Sequence, residues 1–168
     1  LPKNFTSKCN ELIKTNGFRY LIFLNNLKKI YVNIFKNKIE FEKKSSENNK
    51  IAISQSFNKK KNIKKFFLYK HKILDKKNPN AYIIFSYPVS DKNHFYRTPY
   101  ATKLHIFLET QENTGLNFYL HAPFIPNNSR TEIDLFKEKN EKILSECSTA
   151  FIKSIEELKK LKILNLSF

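Results

Sequence analysis

Through its middle the chain alternates apolar and polar residues in short runs, and near its end that period lengthens to the steps of a helix. Ile30, Val32 and Ile34 alternate with Tyr31, Asn33 and Phe35, and Ile39 and Phe41 with Glu40 and Glu42; with a turn over residues 36–38 this predicts a hairpin. Ile51 and Ile53, extending to Phe57, predict another strand, and Phe66, Leu68 and Tyr69 one more. Residues 81–87 are apolar enough to read as a central strand. Leu104, Ile106 and Leu108 alternate with His105, Phe107 and Glu109 and predict one strand. The chain then turns over residues 109–114, with Gly115 in a backbone conformation that other residues avoid. Leu116, Phe118 and Leu120 face one way and Asn117, Tyr119 and His121 the other, a half-buried strand expected to pair antiparallel with its predecessor.

Pro123 and Pro126 stop that strand, since neither has an N–H for the ladder. Asn127 and Asn128 read as a turn. Ser129 and Glu132 have the spacing of a capping box, which predicts a helix starting there. Beyond it Ile133, Phe136, Ile143, Leu144, Cys147, Phe151, Ile155 and Leu158 mark a helical face reaching about residue 162. Asn140 falls on this apolar face and predicts a break at residues 137–140. Toward the start, residues 1–16 read as a lead-in from a preceding domain. Tyr20, Leu24 and Leu27 predict a short buried helix within residues 17–27. Residues 43–50 read as a polar loop and 75–80 as a turn. Residues 59–65 read as a basic, solvated hairpin tip, with contact to nucleic acid or an acidic partner as the alternative. The fold class is α+β: a mixed, mostly antiparallel sheet of five to seven strands, with a short N-terminal helix and a long C-terminal helix packed on one face.

Composition sharpens this only in part. A chain of 168 residues with 40% apolar residues and 16 Phe is long and greasy enough for one folded domain. It contains no Met, which reads as a piece of a larger protein. No apolar run has the length of a membrane span, and no secretory signal is visible. Cys9 and Cys147 imply no disulfide framework, so a reducing, cytoplasmic setting is the default. The net charge of +16 invites a nucleic-acid partner. Lys, Asn, Ile and Phe are abundant while Gly, Ala and Arg are scarce, however, which is how A/T-biased coding looks, and the charge is discounted accordingly. Three arginines remain, Arg19, Arg97 and Arg130.

Most site chemistry is missing. Gly17 and Gly115 cannot make a glycine-rich phosphate loop. His71, His94, His105 and His121 lack ligand spacing; His105 and His121 could face each other across two strands, but two ligands fall short of a zinc site. Cys147, on the apolar face, reads as a small buried hydrophobe. The chain alone does not read as a complete enzyme. Arg130 is the exception: in the first turn of the predicted helix it would oppose the dipole, and an anionic ligand brought there would account for it. A surface pairing with Glu132 or Asp134 is the plainer alternative.

Thr114-Gly-Leu-Asn-Phe118, Ala122-Pro-Phe124, Asn128-Ser-Arg-Thr-Glu132, then Asn140 and a long helix, form a pattern that resembles the region after the ATPase domain in sacsin-like and NO VEIN-like proteins. These are related to the ninety-kilodalton heat-shock chaperones in the GHKL ATPase superfamily. The stretch from Tyr20 to Ile30 is similar to the join between ATPase and middle regions there. The resemblance implies a middle, or transducer, domain over residues 17–168. It implies that Arg130 matches an arginine that reaches the terminal phosphate of ATP, with Asn127, Asn128, Ser129 and Glu132 supporting the loop. ATP and magnesium would then be held mainly by a preceding ATPase domain of the same polypeptide. A homodimer is compatible with this, and a basic nucleic-acid-binding module of a defence or repair protein is the alternative. Thr131 between Arg130 and Glu132, and Asp134 where the chaperones carry a Gln, depart from the family pattern.

Overall fold

A computed structural model of the chain describes residues 3–34, 37–45, 48–74, 81–129 and 131–164, with side chains from Ser7 onward. The predicted turns at residues 36 and 75–80 and the residue Arg130 lie outside the described residues. The chain divides into two compact units, Leu1–Lys65 and Phe66–Phe168.

In the first unit, the stretch expected to be a lead-in forms helix α1 (Lys3–Asn16), and the short buried helix shrinks to one turn, α2 (Arg19–Ile22). Strands β1 (Lys29–Ile34), β2 (Asn37–Ser45) and β3 (Lys50–Phe57) follow, and β4 (Lys60–Lys72) starts here and runs on into the second unit. They lie in the order β1-β2-β3-β4. The hairpin predicted at residues 30–42 is present, with Val32 opposite Ile39 and Ile30 opposite Phe41. Residues 43–45 continue β2 instead of looping, because Lys43 pairs with Ile53 and its ammonium reaches back to the Leu24 carbonyl. The basic run is a strand instead of a tip. Asn58 and Lys59, with φ of 47° and 63°, make the two-residue turn by themselves, and Lys64 lies 3.8 Å over the Phe18 ring. Burial, with the nearby Arg19 charge, holds the Lys64 pKa below its ordinary value.

Tyr20 and Leu27, on the predicted helical stripe, are exposed; the buried residues are Phe18, Leu21, Ile22 and Phe23, in and beside α2, which packs against β2 and β3. A single turn of helix has no face for periodicity to report. Gly17 closes α1, its N–H donating to the Ile13 carbonyl at 2.8 Å. A methyl group there would sit 2.4 Å from the Phe41 ring and 2.7 Å from the Ile13 oxygen.

In the second unit, β4 is followed by β5 (Tyr82–Val89), β6 (Lys103–Ile106), β7 (Leu108–Asn113), β8 (Tyr119–His121) and helix α3 (Glu138–Lys160), with strand order β4-β5-β8-β6-β7. The fold class is α+β, with a mixed, mostly antiparallel sheet. Among the described residues the sheet has eight strands, more than expected, because the run from Leu104 to Glu109 is two strands. Phe107 takes φ of 64°, and the chain doubles back so that Ile106 pairs with Leu108 and His105 with Glu109. The alternation of Leu104, Ile106 and Leu108 conceals this reversal. Strand β8 also departs from expectation. It pairs parallel with β6, through Leu104–Leu120 and His105–His121, and antiparallel with β5, through Phe85–Leu120. As an interior strand it buries Tyr119 and His121 as well as Phe118.

Helix α3 turns Ile143, Cys147, Ala150, Ser154 and Leu158 to the sheet at three- and four-residue steps. Phe118 stacks on Phe151 with ring centroids 5.8 Å apart, and the Tyr87 hydroxyl meets Ser154 Oγ at 2.5 Å. Phe136 and Leu144, placed on this face by periodicity, are exposed. Glu138 and Glu141 in the first turn and Lys159 and Lys160 in the last complement the helix dipole. Cys147 is buried as expected, and burial pushes its thiol up to about 12.

His121 couples the β6–β7 reversal to the core. Its Nδ1 lies 3.1 Å from the Phe107 N–H, which donates to the neutral ring. A protonated ring carries a hydrogen at that nitrogen and loses the bond. Burial, against a hydrogen bond at the His105 carbonyl and with the His105 ring adding to the depression, lowers the His121 pKa to about 4. The folded state therefore binds fewer protons than the unfolded chain between pH 6.5 and about 4, so stability contributed by neutral His121 is complete above pH 6.5 and is lost as pH falls through that window.

Urea unfolding at pH 7 and pH 4 should show wild type losing about 3 kcal/mol more over this interval than His121→Gln, the free energy of a shift from 6.5 to about 4; equal losses would remove His121 from the balance. Gly17→Ala should cost roughly 1–3 kcal/mol by overpacking, read in the same denaturation, because the backbone oxygen of Ile13 cannot swing aside as a side-chain tip could.

Candidate functional site

The residues singled out by sequence lie in the stretch between β8 and α3, and its local order starts from one side chain. Asn127 turns its carbonyl oxygen inward, where it accepts from the Thr131 N–H at 3.1 Å, the Glu132 N–H at 3.4 Å and the Ser129 hydroxyl at 2.9 Å. This is an Asn side chain standing in for a backbone acceptor, the usual reason for Asn in a turn. The Asn127 N–H donates to the Glu132 carbonyl at 2.9 Å, and Pro126 bridges Ile133, so the loop closes on itself like a small hairpin. Ser129 Oγ also meets Thr131 Oγ1 at 2.7 Å.

These bonds correct the capping-box expectation. Ser129 is engaged with Asn127 and Thr131, and the N–H groups that a cap would have taken are held by Asn127. The helix begins at Glu138, nine residues after Ser129. With no helix capped at Ser129, the dipole argument for an anion at that place has no helix start to rest on. Arg130 itself lies outside the described residues. Of the supporting residues, Asn127 and Ser129 are brought together; Asn128 and Glu132 are exposed, Glu132 contributing its backbone to the loop closure.

The loop is tied to the unit from two sides. On one, the Gln111 N–H donates to the Thr131 carbonyl at 2.9 Å, and Glu112 Oε1 accepts from the Ile133 N–H at 3.1 Å. On the other stands Asn140. Its Oδ1 accepts from the Ile125 N–H at 2.8 Å, and its Nδ2 donates to the Ile125 carbonyl at 3.0 Å and to the Asp134 carbonyl at 2.8 Å. The side chain is fully buried. A break was expected here because an Asn on an apolar stripe suggests interruption. Instead the helix starts just before it, and the amide holds both ends of the loop. Sequence reasoning missed this role. The available signal was the polarity itself, since a buried amide must find partners.

Asp134 is committed locally: its Oδ1 accepts from the Phe136 N–H at 3.1 Å, turning the chain into α3. His105 and His121 are neighbours on β6 and β8, but among the described residues they belong to no cluster of three or more metal-ligating side chains. The arrangement is a loop whose described residues are fixed by backbone and amide hydrogen bonds.

Compared with protein-family models, with curated proteins and with solved structures, the chain matches none of them significantly.

Asn140→Leu should cost roughly 3 kcal/mol or more, because the change leaves the Ile125 and Asp134 backbone groups without their partner. Amide exchange resolves the cause: the Ile125 N–H should lose protection ahead of the Ile143 and Ala150 amides of α3. Loss that is uniform across the unit would show that Asn140 does not act on the loop.

Proposed function

We propose that this chain is the middle domain of a chaperone-like GHKL ATPase. In this reading Arg130 is supplied to the terminal phosphate of ATP held, with magnesium, in a preceding ATPase domain, and coupling follows from domain docking. The observation that carries it is the Asn127-centred loop, clamped by Asn140 to α3 and by Gln111 and Glu112 to β7. A loop with both ends tied restricts the side chains it carries, and an arginine offers a planar fork matched to phosphate oxygens. Delivered from a second domain, such a fork stabilises the charge developing on the transferred phosphoryl group. Because the loop is bonded to a 23-residue helix packed on β5, a change in docking at position 130 has a stiff element to act on.

The nucleic-acid alternative gains one observation and loses another. The first unit holds 16 of the 31 basic and 4 of the 15 acidic residues, a net +12 of the total +16, so the lysines are not spread evenly as coding bias alone would spread them. Yet the sheet face of that unit opposite Ile39 and Phe41 carries Glu40 and Glu42 at its middle, paired with Lys29 at 3.6 and 3.1 Å. Carboxylates in that place repel a phosphate backbone.

ATP turnover by the full-length protein should fall on the order of a hundredfold or more with Arg130→Ala. The isolated chain should bind an ATP analogue weakly at best. Unchanged turnover in a folded variant, or tight analogue binding by this chain alone, would overturn the reading. A complex with nucleic acid that weakens steeply with salt would favour the alternative.

A further inference from the structure

The second unit contains a cavity of about 410 Å³ between α3 and the strands. Its walls are the rings of Phe85, Phe124 and Phe151 and the aliphatic chains of Leu120, Ile133 and Leu144. At about 30 Å³ for a water-sized group it has room for on the order of a dozen non-hydrogen atoms. Its polar groups define what those atoms could be. The Thr114 hydroxyl donates to the Thr102 carbonyl at 2.7 Å, and the Ser148 hydroxyl to the Leu144 carbonyl at 3.3 Å, so both hydroxyl protons are used inside the protein. The Cys147 thiol in the wall is held neutral by burial. In a chain with 31 basic residues, no Lys or Arg is found among the described residues lining the cavity, and Glu112 is the one charged group among them. Glu112 uses Oε1 to accept from the Ile133 N–H, which fixes its position at the cavity and leaves its second oxygen for another donor.

We propose that this cavity binds a small apolar molecule carrying a primary amine, with the hydrocarbon body against Phe85, Phe124 and Phe151 and the ammonium on Glu112. The inference does not depend on the ATPase reading. An anionic head, such as a carboxylate or phosphate, would meet the Glu112 charge and find no cation among the described lining residues to offset its desolvation. A neutral alcohol would gain the apolar contacts without the charge-assisted bond. Because the same carboxylate holds Ile133 at the end of the Asn127 loop, occupancy of the cavity and order in the loop share one group.

The test titrates the chain with octylamine, octanol and octanoate, which share one hydrocarbon length and differ in head-group charge, and follows backbone amide shifts by NMR. Saturable octylamine binding that moves the Ile133, Cys147 and Phe151 amides is expected, about tenfold tighter than octanol, with octanoate weakest. Glu112→Gln keeps a carbonyl oxygen for the Ile133 N–H. It should reduce the amine-over-alcohol preference to near unity while leaving octanol binding unchanged. Ser148→Trp, at the cavity mouth, should abolish binding of both. The proposal is overturned if octylamine does not saturate, if octanoate binds as tightly as the amine, or if folded Ser148→Trp binds as wild type does. The comparison of the three head groups in wild type decides the charge argument even if a variant fails to fold.

Discussion

The arrangement of the second unit turns on the side-chain amide of Asn140. One buried group satisfies both backbone atoms of Ile125 and the carbonyl of Asp134, and so fixes where the chain leaves the sheet and where it enters α3. An apolar residue in its place would leave three backbone groups without their partner, and the desolvation of those groups outweighs any gain in packing. With the amide in place, the intervening loop needs no regular secondary structure. It is held by its ends, and Asn127 organises what lies between.

The same economy of polar groups runs through the neighbouring strands. Thr114 Oγ1 donates to the Thr102 carbonyl, Thr102 Oγ1 in turn to the Phe118 carbonyl at 2.5 Å, and Thr110 Oγ1 to the Leu104 carbonyl at 2.9 Å. Each hydroxyl bonds a carbonyl of the strands and connections around β6, β7 and β8. Apolar packing by Phe85, Tyr87, Phe118 and Phe151 supplies the bulk of the burial, and these side-chain bonds choose which backbone arrangement that packing stabilises.

Elements with a long or strongly apolar pattern were legible in the sequence. The hairpin at Ile30–Phe41, the central strand at residues 81–87, Gly115 with its φ of +70°, and the buried face of α3 all follow from period and backbone chemistry. What could not be read depended on partners distant in the chain. Period alone cannot tell that Phe107 reverses direction, because the residues on either side of the reversal keep the alternation of one strand. The capping box at Ser129 and Glu132 was a correct spacing with the wrong competitor: Asn127, two residues earlier, captures the same N–H groups. Phe136 has a helical step but precedes the helix. In the candidate loop, the sequence pointed to Asn127, Ser129 and Asn140, whereas the bonds that Asn140 and Glu112 make to it emerged only once strand β7 and the helix start were placed.

The position of β8 bears on the order in which the unit can assemble. Strands β5 and β6 are consecutive in the chain but not adjacent in the sheet; residues 119–121 lie between them. Until that segment arrives, β5 and the β6–β7 hairpin have unpaired edges facing a space one strand wide. A three-residue strand must then complete ladders on both sides at once. On a ribosome the sheet stays open until synthesis has passed residue 121, and in refolding this closure carries the entropy of ordering the long connection from Ser90 to Thr102. Unpaired edges at that gap are where a second chain could insert a strand, so the three-residue strand that fills it also guards against misassembly.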